Sequence, residues 1–272
     1  MLPLEGKTVL VTGVGAGLGR RVALGAARDG ARVVLAARSA EALAEIAEEA
    51  AQEAEKAAPG GRQRVAHRAA DITDGEDCAR LAALCEERFG GVDALVQVAA
   101  QDRVFGGLDE ADPEFADWRG VLEVNLYGTL RVTRACLPSM RRRGGGSVVW
   151  IGTQSSVAAP NEVRQAAYAA SKGALTSAMY SLAREVGPDR IRVNSVQPGW
   201  MWGPAVAGFV RGSAAREGVP EETVKARLAK RMALPEPAGD DDVAEAALFF
   251  ASDRARAITG QQLLVNAGEF MR

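Results

Sequence analysis

Tyr168 and Lys172 lie one helical turn apart in the sequence YAASK, residues 168–172. A phenol can give or take a proton, and a positive charge close by favours its ionised form. Residues four apart on a helix share a face, so these two side chains can act on each other. The same spacing occurs in many helices where a half-buried ring lies beside a solvated charge. The pair alone therefore does not distinguish catalysis from ordinary packing.

A glycine-rich turn, TGVGAGLG at residues 12–19, is the second stretch with potential chemistry. It joins the β-branched run KTVLVTG to a helical stretch that starts near Leu18. Glycines let a backbone approach a diphosphate closely, and a helix N-terminus offers free N–H groups and the positive end of its dipole. The spacing is G-x-G-x-G-x-G, not G-x-G-x-x-G, and such turns also occur for tight packing alone. The position at the first strand–helix junction favours a nucleotide site.

The end of the second predicted strand, ARVVLAAR, carries Ala37, Arg38 and Ser39 and no carboxylate. An Asp or Glu there would bind a ribose 2′-hydroxyl, whereas a nearby Arg accommodates a 2′-phosphate. Arg forms bidentate charge-assisted bonds with phosphate, so this strand end favours NADP over NAD. A solvated arginine at a strand end is the alternative.

Asp71 ends the third predicted strand, RQRVAHRAAD. It is placed to accept a hydrogen bond from an adenine amino group. It could equally cap the next helix, because the pattern D-x-T-D is also a helix-start signal.

Strand-like runs alternate with helical ones along the chain, which predicts an α/β doubly wound Rossmann sandwich: a seven-stranded parallel sheet with helices on both faces. Two long helices are expected, from about Pro113 to Arg143 and over residues 164–187. Residues 200–238 are rich in Gly and Pro and follow the sixth strand, where an insertion would serve as a lid. No repeat or linker indicates a second domain, so residues 1–272 are expected to form a single one.

Composition narrows the function classes. Lys plus Arg (33) nearly balance Asp plus Glu (35), so no basic field predicts binding to nucleic acid or to acidic lipid. The opening MLPLEGKTVLVTG resembles no secretory signal, and no apolar run approaches the ~18–20 residues that cross a bilayer. Three scattered cysteines predict neither a disulfide framework nor a metal site. A cytoplasmic protein is the expectation.

Four further stretches extend the pattern: DWRGVLEVNLYGTLRVTRACLPSM (117–140), YAASKGAL (168–175), IRVNSVQPG (191–199) and ITGQQLLVNAG (258–268). In this order, with TGxxxGxG at the N-terminus, they resemble the short-chain dehydrogenase/reductase family, in its single-domain branch. The resemblance runs essentially from end to end of the chain.

The resemblance implies a role for each polar residue. Tyr168 would be the general acid or base, and Lys172 would favour its phenolate and bind the nicotinamide ribose. Ser155, thirteen residues before Tyr168, would steady the charge on the substrate oxygen. Ser156 is its rival, but the spacing favours Ser155. Asn125 would hold a water that links Lys172 to solvent, although an Asn bonded to backbone is the alternative.

The resemblance also implies the cofactor contacts and a homotetramer or homodimer, in which the long helices pair between subunits. The residues predicted to contact the cofactor are Gly13, Gly15, Ala16, Gly17, Leu18, Gly19, Arg38, Ser39, Asp71, Ile72, Ala99, Ala100, Tyr168, Lys172, Pro198 and Gly199. Two departures stand out. Gln97-Val98-Ala99-Ala100 replaces the usual Asn-Asn-Ala-Gly, so Gln97 is expected to supply the lost bracing. No Thr follows Pro198-Gly199 to touch the carboxamide.

The predicted function is an oxidoreductase that transfers a hydride between a nicotinamide cofactor, with NADPH favoured, and a ketone or secondary alcohol. The pocket is expected between the loop after Ala100, the loop between Ser155 and Tyr168, and the lid. Aromatic lid residues suggest a ring-bearing substrate or simple packing, and basic ones an anionic or carrier-bound substrate or a solvated face. An NAD-dependent alcohol dehydrogenase that works oxidatively and a non-catalytic nucleotide-binding regulator are the alternatives.

Overall fold

Seven parallel strands form one sheet in the order β3-β2-β1-β4-β5-β6-β7, in a computed structural model that describes residues 2–160 and 163–271. The strands are β1 (Thr8–Thr12), β2 (Arg32–Ala37), β3 (Val65–Ala69), β4 (Ala94–Gln97), β5 (Gly146–Ile151), β6 (Ile191–Pro198) and β7 (Gln262–Val265). This confirms the predicted sheet. The order reverses between β1 and β4, and such a switch point opens a crevice at the carboxyl ends of the strands.

Helices cover both faces of the sheet. They are α1 (Leu18–Arg28), α2 (Ala40–Ala57), α3 (Gly75–Phe89), α4 (Ala116–Leu122), α5 (Thr129–Arg142), α6 (Ala166–Val186), α7 (Pro204–Glu217), α8 (Glu221–Ala229) and α9 (Asp240–Ala251). Alternate residues of a strand face opposite sides. Val9 and Val11 therefore pack under α1, α2 and α9, and Leu10 packs under α3, α5 and α6. No helix within the described ranges combines the length and apolar character needed to cross a membrane.

The helix predicted over 113–143 is not one α-helix. It begins only at Ala116, after Phe115 in the left-handed region (φ 53°), and the six residues Glu123–Gly128 form a π segment between α4 and α5. Hydrophobic periodicity cannot separate an α from a π turn, because both bury one face of the same cylinder. π segments occur frequently at functional sites. This one carries Asn125.

The insertion at 200–238 is more helical than its Gly and Pro content indicates. Helices α7 and α8 bury a small apolar cluster of their own, and the rings of Trp200 and Phe209 lie 5.0 Å apart beside it. The aromatic residues thus pack within the insertion. Its two ends meet where the Trp202 amide donates to the Ala238 carbonyl at 2.7 Å. The following helix, α9, is an element that the sequence did not predict.

Candidate functional site

Tyr168 and Lys172 lie in the first two turns of α6, against the carboxyl end of β5. Tyr168 is half-buried, and Lys172 is only 2% exposed. The Lys172 ammonium lies 5.9 Å from the centre of the Tyr168 ring and donates to the Ile151 carbonyl at 2.7 Å. Lys172 is therefore not a solvated surface charge. An ammonium has three N–H donors, so further donors remain for a ligand.

Burial and one carboxylate set the charge of this pair. Burial raises the pKa of the Tyr168 phenol well above its usual value, and the nearby Asp102 carboxylate raises it further. Burial also lowers the pKa of Lys172 to about 8, and Asp102 opposes that shift. At neutral pH the phenol therefore keeps its proton and can donate it.

Thr153 is a site residue that is not predicted from the sequence. Its hydroxyl influences the pKa of the Tyr168 phenol. Thr153 follows β5 by two residues and is 8% exposed, and its side chain lies close enough to Tyr168 to lower the pKa of the phenol. Its oxygen also accepts from the Ser155 amide at 3.2 Å. The signal in the sequence was its place as the first hydroxyl after the strand.

Ser155, which the spacing predicts, lies in a short 3₁₀ turn, Gln154–Ser156, and is half-buried. Its hydroxyl has no hydrogen-bond partner among the residues that the structure describes, and the Ser156 hydroxyl donates to the Thr153 carbonyl at 2.8 Å. The predicted loop between Ser155 and Tyr168 includes residues 161 and 162, which lie outside the described ranges.

Asn125 is fully buried in the π segment and holds the loop after β4. Its carbonyl oxygen accepts from the Gln101 amide at 2.7 Å, and its NH₂ group donates to the Gln101 carbonyl and to the Ser171 hydroxyl, both at 3.0 Å. Both N–H groups of the amide are thus used. The backbone-bonded alternative describes these contacts, and the water-holding role stays a prediction.

The glycine turn forms a cradle that fits a diphosphate. Gly13 has φ +77°, and a Cβ there would lie 2.2 Å from the Ala99 amide nitrogen, so only glycine fits. The N–H groups of Gly17, Leu18 and Gly19 have no acceptor within the described part of the chain. Free N–H groups at a helix N-terminus attract phosphate through hydrogen bonds and the helix dipole. The turn therefore suits the phosphates of a dinucleotide.

The two residues predicted to read the ribose are exposed at the start of α2. Arg38 makes no ion pair among the described residues, and Ser39 is the N-cap but forms no side-chain cap. Asp71 accepts from the amide and the hydroxyl of Thr73, both at 2.8 Å. Asp74, not Asp71, caps α3. The capping alternative for Asp71 is therefore wrong.

Gln97 does brace the structure, and it does so by connecting its strand to a helix. Its NH₂ group donates to the Thr129 carbonyl and to the Thr133 hydroxyl, both at 2.8 Å, which ties β4 to α5. The Trp150 indole donates to the same hydroxyl at 3.2 Å. The bracing expected of Gln97 is therefore present, as a connection from β4 to α5.

A buried polar network joins the ends of β5, β6 and β7 to the insertion. The Asn266 amide donates to Gln154 at 2.6 Å, Gln154 donates to Glu269 at 3.1 Å, and Arg231 pairs with Glu269 at 2.7 Å. Gly199 packs against it so closely that a Cβ would lie 2.9 Å from that of Asn266. Sequence motifs give no sign of this network because its members are distant from one another in the sequence.

Comparisons with known proteins agree with this geometry. The family profile described as enoyl-(acyl carrier protein) reductase matches residues 13–269. The chain is 31% identical over 268 residues to the 7alpha-hydroxysteroid dehydrogenase of Escherichia coli (strain K12), covering 98% of this chain and 95% of that protein.

Two solved structures have the same fold. The L-sorbose reductase of Gluconobacter frateurii, in complex with NADPH and L-sorbose, superposes with a TM-score of 0.87 at 26% identity, covering 100% of this chain and 99% of the other. A short-chain type dehydrogenase/reductase of Mycobacterium ulcerans gives 0.85 at 29% identity, with coverages of 98% and 91%. The profile and these relatives agree on one family. The chain therefore belongs to the short-chain dehydrogenase/reductase family and is an NAD(P)-dependent oxidoreductase.

Proposed function

We propose that this oxidoreductase reduces a ketone to a secondary alcohol with NADPH, and that Tyr168 gives the proton. The observation that carries the proposal is the Tyr168 ring, which lies 5.9 Å from the buried Lys172 ammonium at the carboxyl end of β5. The relatives named for a hydroxysteroid and for L-sorbose support an alcohol–carbonyl pair as the substrate.

Each residue of the site would have a separate role in the reaction. A nicotinamide cofactor supplies the hydride when it is bound. The free N–H groups at the start of α1 would hold its diphosphate, and Lys172 would bind its ribose hydroxyls with the donors that Ile151 leaves free. Tyr168 would protonate the carbonyl oxygen, and the hydroxyl of Thr153 would donate to the same oxygen.

A panel of ketones and secondary alcohols, followed by the absorbance of the reduced cofactor, tests the reaction. We expect NADPH oxidation with ketones and the reverse reaction with the matching alcohols. Enones belong in the panel because the matching profile is described as an enoyl reductase. Reduction of the C=C bond alone, with the ketone left intact, would contradict the proposal.

Arg38→Gln is expected to weaken NADPH binding by about tenfold and to leave NADH binding nearly unchanged, because only NADPH carries the 2′-phosphate that a guanidinium would pair with. Cofactor fluorescence titrations of the unaltered protein and of the variant, each with NADPH and with NADH, measure these dissociation constants. The alternative, an oxidative NAD-dependent alcohol dehydrogenase, predicts tighter NADH binding in the unaltered protein.

Arg64→Gln is the matched control. Arg64 immediately precedes β3 at the amino end of the strand, whereas Arg38 follows the carboxyl end of the neighbouring parallel strand β2. Loss of Arg64 should not change either dissociation constant. A clear preference of the unaltered protein for NADH, or equal effects of the two substitutions, would refute the role of Arg38.

A further inference from the structure

Asp102 lies in the loop after β4, where contacts on both sides hold it. Its neighbour Gln101 is bound through both backbone groups to the Asn125 side chain, at 2.7 and 3.0 Å. The Asp102 carbonyl oxygen itself accepts a hydrogen bond from the side chain of Gln165, three residues before Tyr168. The backbone of Asp102 is thus fixed at the start of α6.

The far side of this loop is tied to the same segment. The Gly106 amide donates to the Arg164 carbonyl at 2.8 Å, and the Gly106 carbonyl accepts from the Ala166 amide at 3.1 Å. Arg164 also pairs with Glu110 of the loop at 2.6 Å. Residues 101–110 therefore form a loop, called the strap below, that is bound to residues 164–166 just before Tyr168.

The Asp102 carboxylate is exposed and makes no ion pair among the described residues. It nevertheless acts on the reacting groups, since it raises the pKa of both Tyr168 and Lys172. The phenol thus faces Lys172 from its own helix and Asp102 from the strap. Because the Asp102 backbone is bound to Gln165, three residues before Tyr168, this negative charge lies on the side of the phenol where the strap crosses the start of α6.

Three basic residues of the insertion are engaged in contacts of their own. Lys225 lies over the Trp202 ring at 4.8 Å, and Arg227 and Arg231 pair with glutamates. These contacts give no support to an anionic or carrier-bound substrate.

We propose that Asp102 selects the substrate by charge, favouring ketones with an ammonium group near the carbonyl and disfavouring those with a carboxylate there. This inference rests on the proposed ketone reduction. It adds a specificity residue, since a carboxylate near the carbonyl attracts a cation and repels an anion.

The test uses the best neutral ketone of the panel in three matched forms, with an amide, a carboxylate or a trimethylammonium group at the same position. For the unaltered enzyme we expect kcat/KM to be highest for the ammonium form and lowest for the carboxylate. Asp102→Asn should lower the ammonium-to-carboxylate ratio by about 25-fold, or about fivefold for each charge. High salt should reduce the preference in the unaltered enzyme.

Asp109→Asn, in the same loop but without a contact to the site, is the control and should keep the original ratio. Unchanged ratios in Asp102→Asn, or equal losses for all three forms, would overturn the role of Asp102. If the unaltered enzyme reduces none of the ketones, the proposed function fails separately. The affinities of the three forms for the enzyme–cofactor complex, measured by cofactor fluorescence, then still decide whether Asp102 discriminates charge.

Discussion

Tyr168→Phe is expected to lower kcat for ketone reduction by about 10³-fold, because the substrate oxygen then loses its proton donor. The ring and its packing against Lys172 remain, so the variant should still bind the cofactor. Stopped-flow or steady-state absorbance of the reduced cofactor measures turnover, and fluorescence titration measures binding. Loss of turnover with binding retained would separate the proton transfer from the holding of the cofactor.

Tyr180→Phe is the matched control, since Tyr180 lies on the same helix and its hydroxyl accepts from Gln262 away from the site. It should keep its activity. Undiminished turnover in Tyr168→Phe, or equal losses in the two variants, would refute the acid role.

The pH dependence of the reaction rate in the unaltered enzyme also tests the role of Tyr168 as the acid. Burial and Asp102 raise the pKa of Tyr168, so the protonated phenol that reduction needs persists through neutral pH. The rate of reduction should therefore stay level there and fall only at alkaline pH. Oxidation of the alcohol needs the phenolate, so its rate should rise with pH over the same range.

Thr153→Val is expected to lower kcat by about 10²-fold, because it removes a hydroxyl that can donate to the substrate oxygen and keeps the shape of the side chain. The valine also cannot accept from the Ser155 amide, so folding must be checked by circular dichroism. The measurement is kcat with the best ketone of the panel.

Two further variants distinguish the hydroxyls. Thr153→Ser keeps the oxygen and should restore most of the activity, whereas Ser155→Ala should change kcat by less than about threefold if Thr153 acts on the substrate. The opposite result, with a large loss in Ser155→Ala and little in Thr153→Val, would support the residue that the thirteen-residue spacing predicts. It would contradict the assignment to Thr153.

Much of the fold could be predicted because its signals are local. Each apolar run that ends at a glycine or polar turn became a strand, and the helices between them required a parallel sheet. The prediction of one continuous helix over 113–143 was wrong because a π segment does not change the hydrophobic pattern of the sequence. The helix at Asp240–Ala251 went unpredicted although its first turn is acidic, a recognised start signal.

For the site, the sequence by itself determined which chemical groups are present and that Tyr168 and Lys172 share a helical face, since that spacing depends on one helix alone. Only the tertiary structure decided that Lys172 is buried, that the Thr153 side chain lies near the phenol and that the Asp102 backbone is bound to Gln165 at the start of α6. These three facts depend on where β5 ends and how two loops cross. Residue counts along the chain cannot supply such distances, because a loop of fixed length can bring different residues to the same point.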